Sequence, residues 1–252
     1  MTSRRCGALL ATLLGASTAH ASPVSDSQQL LVVLGDGWDQ SQGQLVRFER
    51  ARRTDRFQRV GPALPVWLGR SGLAWRSDAG APPPPGPGPL KREGDGRAPA
   101  GLLSLGELWG YDQQAPAAVK LPYRQATPLD RCVDDPASPL YNQLVQEAGP
   151  PPWRSAEALR LATDHYKYLV VLGYNRTQVR AGAGSCIFLH VAPPPPSPTA
   201  GCTALAEADL LSLLRWLRPG ARPLLLQLPR AALAAVVTAW QLPRELLALT
   251  RP

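Results

Sequence analysis

A thiol and an imidazole stand close together in the last quarter of the chain. His190 ends the apolar run Ser185 to Val191 (SCIFLHV), and Cys202 follows twelve residues later in Pro198-Thr-Ala-Gly-Cys-Thr203. A thiol attacks a carbonyl as its thiolate, so it needs a base. An imidazole can take that proton and later give one to a leaving amine. Glycine before the cysteine lets backbone amides approach a substrate closely. Such nearby amides could hold an oxyanion. An apolar stripe just beyond Cys202 predicts a helix, whose N-terminal field would favour the thiolate. The chemistry this layout suggests is acyl transfer through a thioester. Two plainer readings use the same residues. Cys186, His190 and Cys202 could ligate zinc, but a fourth ligand and a paired C-x-x-C are missing. Alternatively, His190 is a core residue and Cys202 is half of a disulfide.

These side chains need elements to hold them. Gln29 to Gly35 (QLLVVLG) reads as a buried strand, and Gln44 to Arg50 alternates like a half-buried one. Asp36-Gly37 and Gln42-Gly43 read as turn residues between them. Ala63 to Gly69 is a third strand candidate, giving an antiparallel meander. Gly101 to Leu105, Ala118 to Tyr123, Tyr166 to Tyr174, Ser185 to Val191 and Arg222 to Leu228 are further strand candidates. Trp153 to Ala162 has mixed, partly helical spacing. Leu210, Leu213, Leu214 and Leu217 recur at helical spacing, with Glu207 and Asp209 ahead and Arg215 and Arg218 behind, as the helix dipole prefers. Pro219-Gly220 stops that helix. Residues 229–252 read as a C-terminal helical extension, with Leu233, Val236, Val237 and Trp240 on one face. The run at 82–89 is a stiff proline-rich loop inside the domain, and Pro193 to Pro198 is a second one between His190 and Cys202.

Composition bounds the rest. The chain has 252 residues, 28 prolines and 22 glycines, which argues against a long bundle or coiled coil. Residues 1–21 read as a secretory signal peptide: Arg4 and Arg5, the apolar run Gly7 to Ala16, and the cleavage site Ala19-His-Ala21. The expected location is therefore secreted or periplasmic, with a single domain over 22–252. No later stretch is apolar enough to span a membrane. Cleavage removes Cys6 and leaves Cys132, Cys186 and Cys202, an odd count. Cys132 and Cys186 could pair and leave Cys202 free, or Cys186 could form a redox-sensitive site with Cys202; sequence order does not decide. The formal net charge is +8, nearly all from arginine, since the lysines are Lys91, Lys120 and Lys167. His165 reads as a surface residue at a strand start, and Glu93 and Asp95 as turn residues beside glycine. Asn175-Arg-Thr177 fits a glycosylation sequon and is read as chance.

Several blocks together resemble the catalytic domain of L,D-transpeptidases. Ile187-Phe-Leu-His190 followed by Pro198-Thr-Ala-Gly-Cys-Thr-Ala-Leu205 resembles that family's strand-borne histidine and closing Ser-x-Gly-Cys block. Lys91-Arg-Glu-Gly-Asp-Gly-Arg-Ala-Pro-Ala-Gly101 is similar to its Lys-x-Glu-Gly-Asp-Gly block, and Gly173-Tyr-Asn175 to its Tyr-Asn pair. The resemblance covers most of the mature chain. It implies a mainly β fold, a sandwich or barrel with one helix after the cysteine and one at the C-terminus. It implies an enzyme of the bacterial cell envelope with Cys202 as nucleophile, His190 as general base oriented by a backbone carbonyl, and the Gly201 and Cys202 amides as the oxyanion hole. Thr199 would support the loop, and Tyr174 and Asn175 would bind substrate. The implied activity is transfer on peptidoglycan stem peptides, cross-linking or remodelling the wall and so its organisation and cell shape. Hydrolysis, as a carboxypeptidase or amidase, and non-catalytic wall binding are the alternatives on the same residues. No metal or organic cofactor is needed, because the thiol carries the covalent step. An anionic wall polymer accounts for the basic balance without nucleic acid, and oligomeric state leaves no signal. Val191 and Ala204 stand where the family commonly has glycine and arginine, and the proline tract is a third departure.

Overall fold

The computed structural model describes residues 22–192 and 194–250; the segment 1–21, read from the sequence as a signal peptide, lies outside them. In chain order the elements are β1 (Gln29–Gly35), β2 (Gln42–Glu49), β3 (Gln58–Trp67), β4 (Leu73–Trp75), β5 (Ala98–Gly110), β6 (Tyr123–Gln125) and β7 (Asp130–Val133). Then come β8 (Leu144–Gln146), β9 (Ala156–Ala158), β10 (Tyr168–Leu172), β11 (Phe188–Val191) and β12 (Thr203–Leu205). α1 (Glu207–Trp216), β13 (Leu224–Pro229) and α2 (Leu233–Ala239) complete it. The mainly β class is as expected. Eight strands close into a barrel in the order β1, β2, β3, β12, β11, β10, β5, β13, because β10 pairs with β5 and β13 with β1. A separate sheet, ordered β8, β7, β9, lies apart from it.

The apolar run of β1 has a simple cause. It is buried over its whole length, paired antiparallel with β2 and parallel with β13. The main core joins its leucines and valines to Leu210, Leu213 and Leu214 of α1 and to Leu233, Val236 and Val237 of α2. Each buried leucine contributes about 2 kcal/mol, against about 0.5 kcal/mol for a charge at a helix end. Packing of the stripe therefore holds α1, and the terminal charges only trim it. The proline loop is pinned to this same body. Trp75 and Trp240 donate their indole N–H groups to the carbonyls of Pro87 and Pro83, both at 3.3 Å.

Some elements depart from the sequence pattern. Gln42 and Gly43 belong to β2 rather than to a turn, and β3 begins five residues before Ala63. Ala118 to Pro122 form no strand; only Tyr123 of that segment joins one. The partly helical spacing of Trp153 to Ala162 instead yields the three-residue strand β9. The C-terminal extension is mostly 3-10 turns, Arg230–Ala232 and Arg244–Thr250, around the seven-residue α2. Pro243 interrupts α-helical geometry there, because it cannot donate its amide.

Strand alternation then aims the site. In β11, Leu189 and Val191 enter the main core, while Phe188 points the other way. Side chains two residues apart share a face, so His190 emerges beside Phe188, toward the small sheet. A second apolar cluster fills that side, made of Phe188, Leu169, Val171, Cys132, Cys186 and Cys202 among others. The thiol therefore lies between the barrel wall and the three-stranded sheet.

Candidate active site

Cys202 sits where the loop from His190 meets β12, and it is only 6% exposed. β11 and β12 run parallel, with Leu189 against Thr203 and His190 against Ala204. One step back, the Phe188 N–H donates to Cys202 Sγ at 3.3 Å, and Sγ donates to the Cys186 carbonyl at 3.4 Å. Among the described residues the thiol makes no hydrogen bond to His190. Both nonetheless line one cavity of about 780 Å3.

His190 is 4% exposed, with Nδ1 2.9 Å from the Val191 carbonyl oxygen. A carbonyl only accepts, so Nδ1 carries the proton and Nε2 is the basic nitrogen. The Tyr166 ring stands edge-on to His190 at 5.1 Å and to Phe188 at 5.8 Å. Burial pushes the His190 pKa down to about 4, against a smaller opposite effect of the Val191 carbonyl. Burial also pushes the Cys202 thiol well above its usual value, with the Glu157 charge adding to it. The expected helix field is not delivered, because β12 separates Cys202 from the start of α1 at Glu207. The resting pair is thus neutral thiol and neutral imidazole.

The loop ahead of the thiol is built by Thr199. Its Oγ1 donates to the Cys202 carbonyl at 2.7 Å and accepts from the Gly201 N–H at 3.1 Å. The Gly201 amide is therefore engaged inside the loop rather than free for an oxyanion. Gly201 has φ +155°, and a Cβ there would lie 3.1 Å from the Arg97 carbonyl oxygen, so glycine is required. Thr199 also bonds through its backbone to Leu68 and Arg70, which ties this position to the end of β3.

The lysine-to-glycine block forms the opposite wall. Asp95 accepts from the backbone N–H groups of Arg92 and Arg97 and from Lys91 Nζ at 2.6 Å. Gly96 turns the chain at φ +69°, where Arg70 and Ser71 already lie 3.0 Å from a notional Cβ. The turn sends Glu93 into the cavity, where it accepts from the Ser185 hydroxyl at 2.6 Å and from Tyr141. Glu93 is thus a wall residue and not merely a turn residue. His165 is likewise on the cavity wall, in the 3-10 turn Asp164–Tyr166 rather than at a strand start.

Tyr174 and Asn175 do not reach the cavity, which corrects their assignment to substrate binding. Each is 1% exposed. The Tyr174 hydroxyl donates to the Ala183 carbonyl, and Asn175 Nδ2 donates to the Arg180 and Gly184 carbonyls, both at 2.9 Å. They brace the loop leading to Cys186. Asn142 ties the same loop to the small sheet: Nδ2 donates to the Tyr174 and Asn175 carbonyls, and Oδ1 accepts the Cys186 N–H at 2.9 Å.

Cys132 and Cys186 form a disulfide, and Cys202 is the free cysteine among the described residues. Cys186 is therefore no zinc ligand, and Cys202 is no disulfide partner. The bridge links β7 to the loop whose carbonyl holds the thiol. Across β7, Glu157 of β9 stands opposite Cys132 and lines the cavity. Its Oε1 accepts from the Tyr166 hydroxyl. Burial raises its pKa to about 7, with the nearby Asp134 and Glu93 charges pushing the same way. Sequence reasoning missed Glu157, Tyr166 and Asn142. Short strands such as β9 carry too little periodicity to announce which side chain faces inward.

Comparison with protein-family profiles, with curated proteins and with solved structures yields no match. Among the described residues no helix is long and apolar enough to cross a membrane.

Proposed function

We propose that this chain is an exported cysteine acyltransferase of the L,D-transpeptidase type, acting on peptidoglycan stem peptides. The observation that carries the reading is one free thiol and one imidazole, with Nε2 as its basic nitrogen, opening onto the same cavity. A thiol and an imidazole that are both neutral at rest suit proton transfer during attack, rather than a preformed ion pair. Cys202 would lose its proton to His190 as the sulfur–carbon bond forms at the carbonyl of a diamino-acid residue. The oxyanion falls to the Cys202 amide, since that of Gly201 is engaged. The imidazolium, whose proton is acidic because of burial, then protonates the departing D-amino acid. An acceptor attacks the thioester and regenerates the thiol.

The cavity wall supports a zwitterionic peptide substrate. Arg70, Lys91 and His165 contribute basic groups, and Glu93 and Asp134 acidic ones. A second reading, a wall-binding module without turnover, draws on the buried thiol and its lack of a hydrogen bond to His190. Incubation with a defined tetrapeptide muropeptide separates the two. The first reading predicts loss of the terminal D-amino acid and a transferred or hydrolysed product by mass spectrometry, with Cys202→Ala inactive. Binding without any product would favour the second.

A further inference from the structure

The steps above leave Glu157 without a task, although its carboxyl lines the cavity shared by Cys202 and His190. Its surroundings are unusual for a structural carboxyl. It has no lysine or arginine partner among the described ion pairs, and its hydrogen-bond donor is a phenol, Tyr166. A buried carboxylate held only for stability is normally paired with a cation. A short strand in a separate sheet, one residue pair from the disulfide that anchors the thiol's loop, brings it there.

The acyl-transfer reading contains a proton that His190 cannot absorb. An amine acceptor reaches the site at neutral pH as its ammonium. Ammonium plus thioester becomes amide plus thiol, which releases one proton overall. His190 is neutral once the leaving amine has taken its proton. It can accept a proton from the tetrahedral adduct and return it to the departing sulfur, but the ammonium must lose another before it attacks.

We propose that Glu157 is a further catalytic residue of this site, accepting the proton that an ammonium-bearing acceptor loses before it attacks the thioacyl group on Cys202. The proposal rests on the acyltransferase reading. The carbon–nitrogen bond forms and the carbon–sulfur bond breaks. The first proton passes from the ammonium to the Glu157 carboxylate and on to solvent, and the second travels through His190 to the Cys202 sulfur. Water as acceptor carries no ammonium proton, so hydrolysis bypasses Glu157. A carboxyl whose pKa stands near 7 is matched to this exchange. The groups facing it are Tyr166 on the 3-10 turn, Asp134 after β7, Glu93 on the opposite wall and Cys202 itself. Lys91, Arg70, His165 and His190 complete the titratable lining.

The test uses the full chain with a tetrapeptide muropeptide as donor and glycine as amine probe. Acyl-enzyme is read by intact mass, and the ratio of glycine-exchanged to hydrolysed product is followed against pH. In the wild type the ratio should rise through about pH 7. In Glu157→Gln, acyl-enzyme should still form while the ratio near neutrality falls about a hundredfold and the step disappears. Tyr166→Phe keeps the ring but removes a donor that favours the carboxylate, so the step should move to higher pH; this variant also serves if Glu157→Gln fails to fold. An unchanged ratio in Glu157→Gln, or an unmoved step in Tyr166→Phe, overturns the proposal while leaving the acyltransferase reading intact. Absence of acyl-enzyme in the wild type overturns both.

Discussion

At the scale of residues, the site is governed by burial. It lowers the basicity of His190 and raises that of Cys202, so both rest uncharged. Iodoacetamide should therefore modify Cys202 slowly at neutral pH and faster only under alkaline conditions. A nearby carboxylate opposes a thiolate, and Glu157 adds to the upward shift of Cys202. Glu157→Gln removes that charge, so the pH midpoint of alkylation should move down; an upward move would contradict the assigned coupling. Residue type and spacing drew attention to Cys202 and His190, and the family resemblance added Thr199. The thiolate expectation was not met, because three residues of strand intervene between the cysteine and the helix. Tyr174 and Asn175 were legible as important positions but not as buried braces, since sequence shows residue type and not which way a side chain faces.

At the scale of elements, periodicity marked the barrel strands and α1 well. β1 matches its predicted span, and the leucine stripe is buried as spaced. The small sheet was illegible because its strands are three or four residues long, too short for a period of two to stand out. That sheet matters through the Cys132–Cys186 bridge. The two cysteines are 54 residues apart, and closing such a loop in the unfolded chain contributes about 4 kcal/mol in the chain-entropy account. The double variant Cys132→Ser, Cys186→Ser should lower the unfolding midpoint in urea accordingly. It should also slow acylation of Cys202, whose Sγ is held by the Cys186 carbonyl. Full acylation rates in that variant would show that the bridge stabilises the fold without positioning the thiol.

At the scale of the whole molecule, the basic balance and the cavity act together. On the proposed reading the long-range field would draw an anionic polymer, and the mixed charges of the cavity wall would sort its peptide groups. The half-buried Glu157 also affects the stability of the entire fold. Its pKa rises from an ordinary 4.5 to about 7 on folding, so the folded state holds the extra proton. Its contribution is present below pH 4.5 and is lost as pH rises through about 7. His190, lowered to about 4, works in the opposite sense, its burial costing stability as pH falls from 6.5. The two largely offset each other in the wild type. Urea unfolding at a series of pH values should therefore show wild type losing stability relative to Glu157→Gln between those limits, on the order of 3 kcal/mol. The central claim, covalent transfer through Cys202, is tested most directly by intact mass after brief exposure to a tetrapeptide muropeptide. The predicted result is a shift equal to the acyl fragment on the wild type and none on Cys202→Ala. An unmodified wild type under conditions of turnover, or turnover by Cys202→Ala, would contradict it.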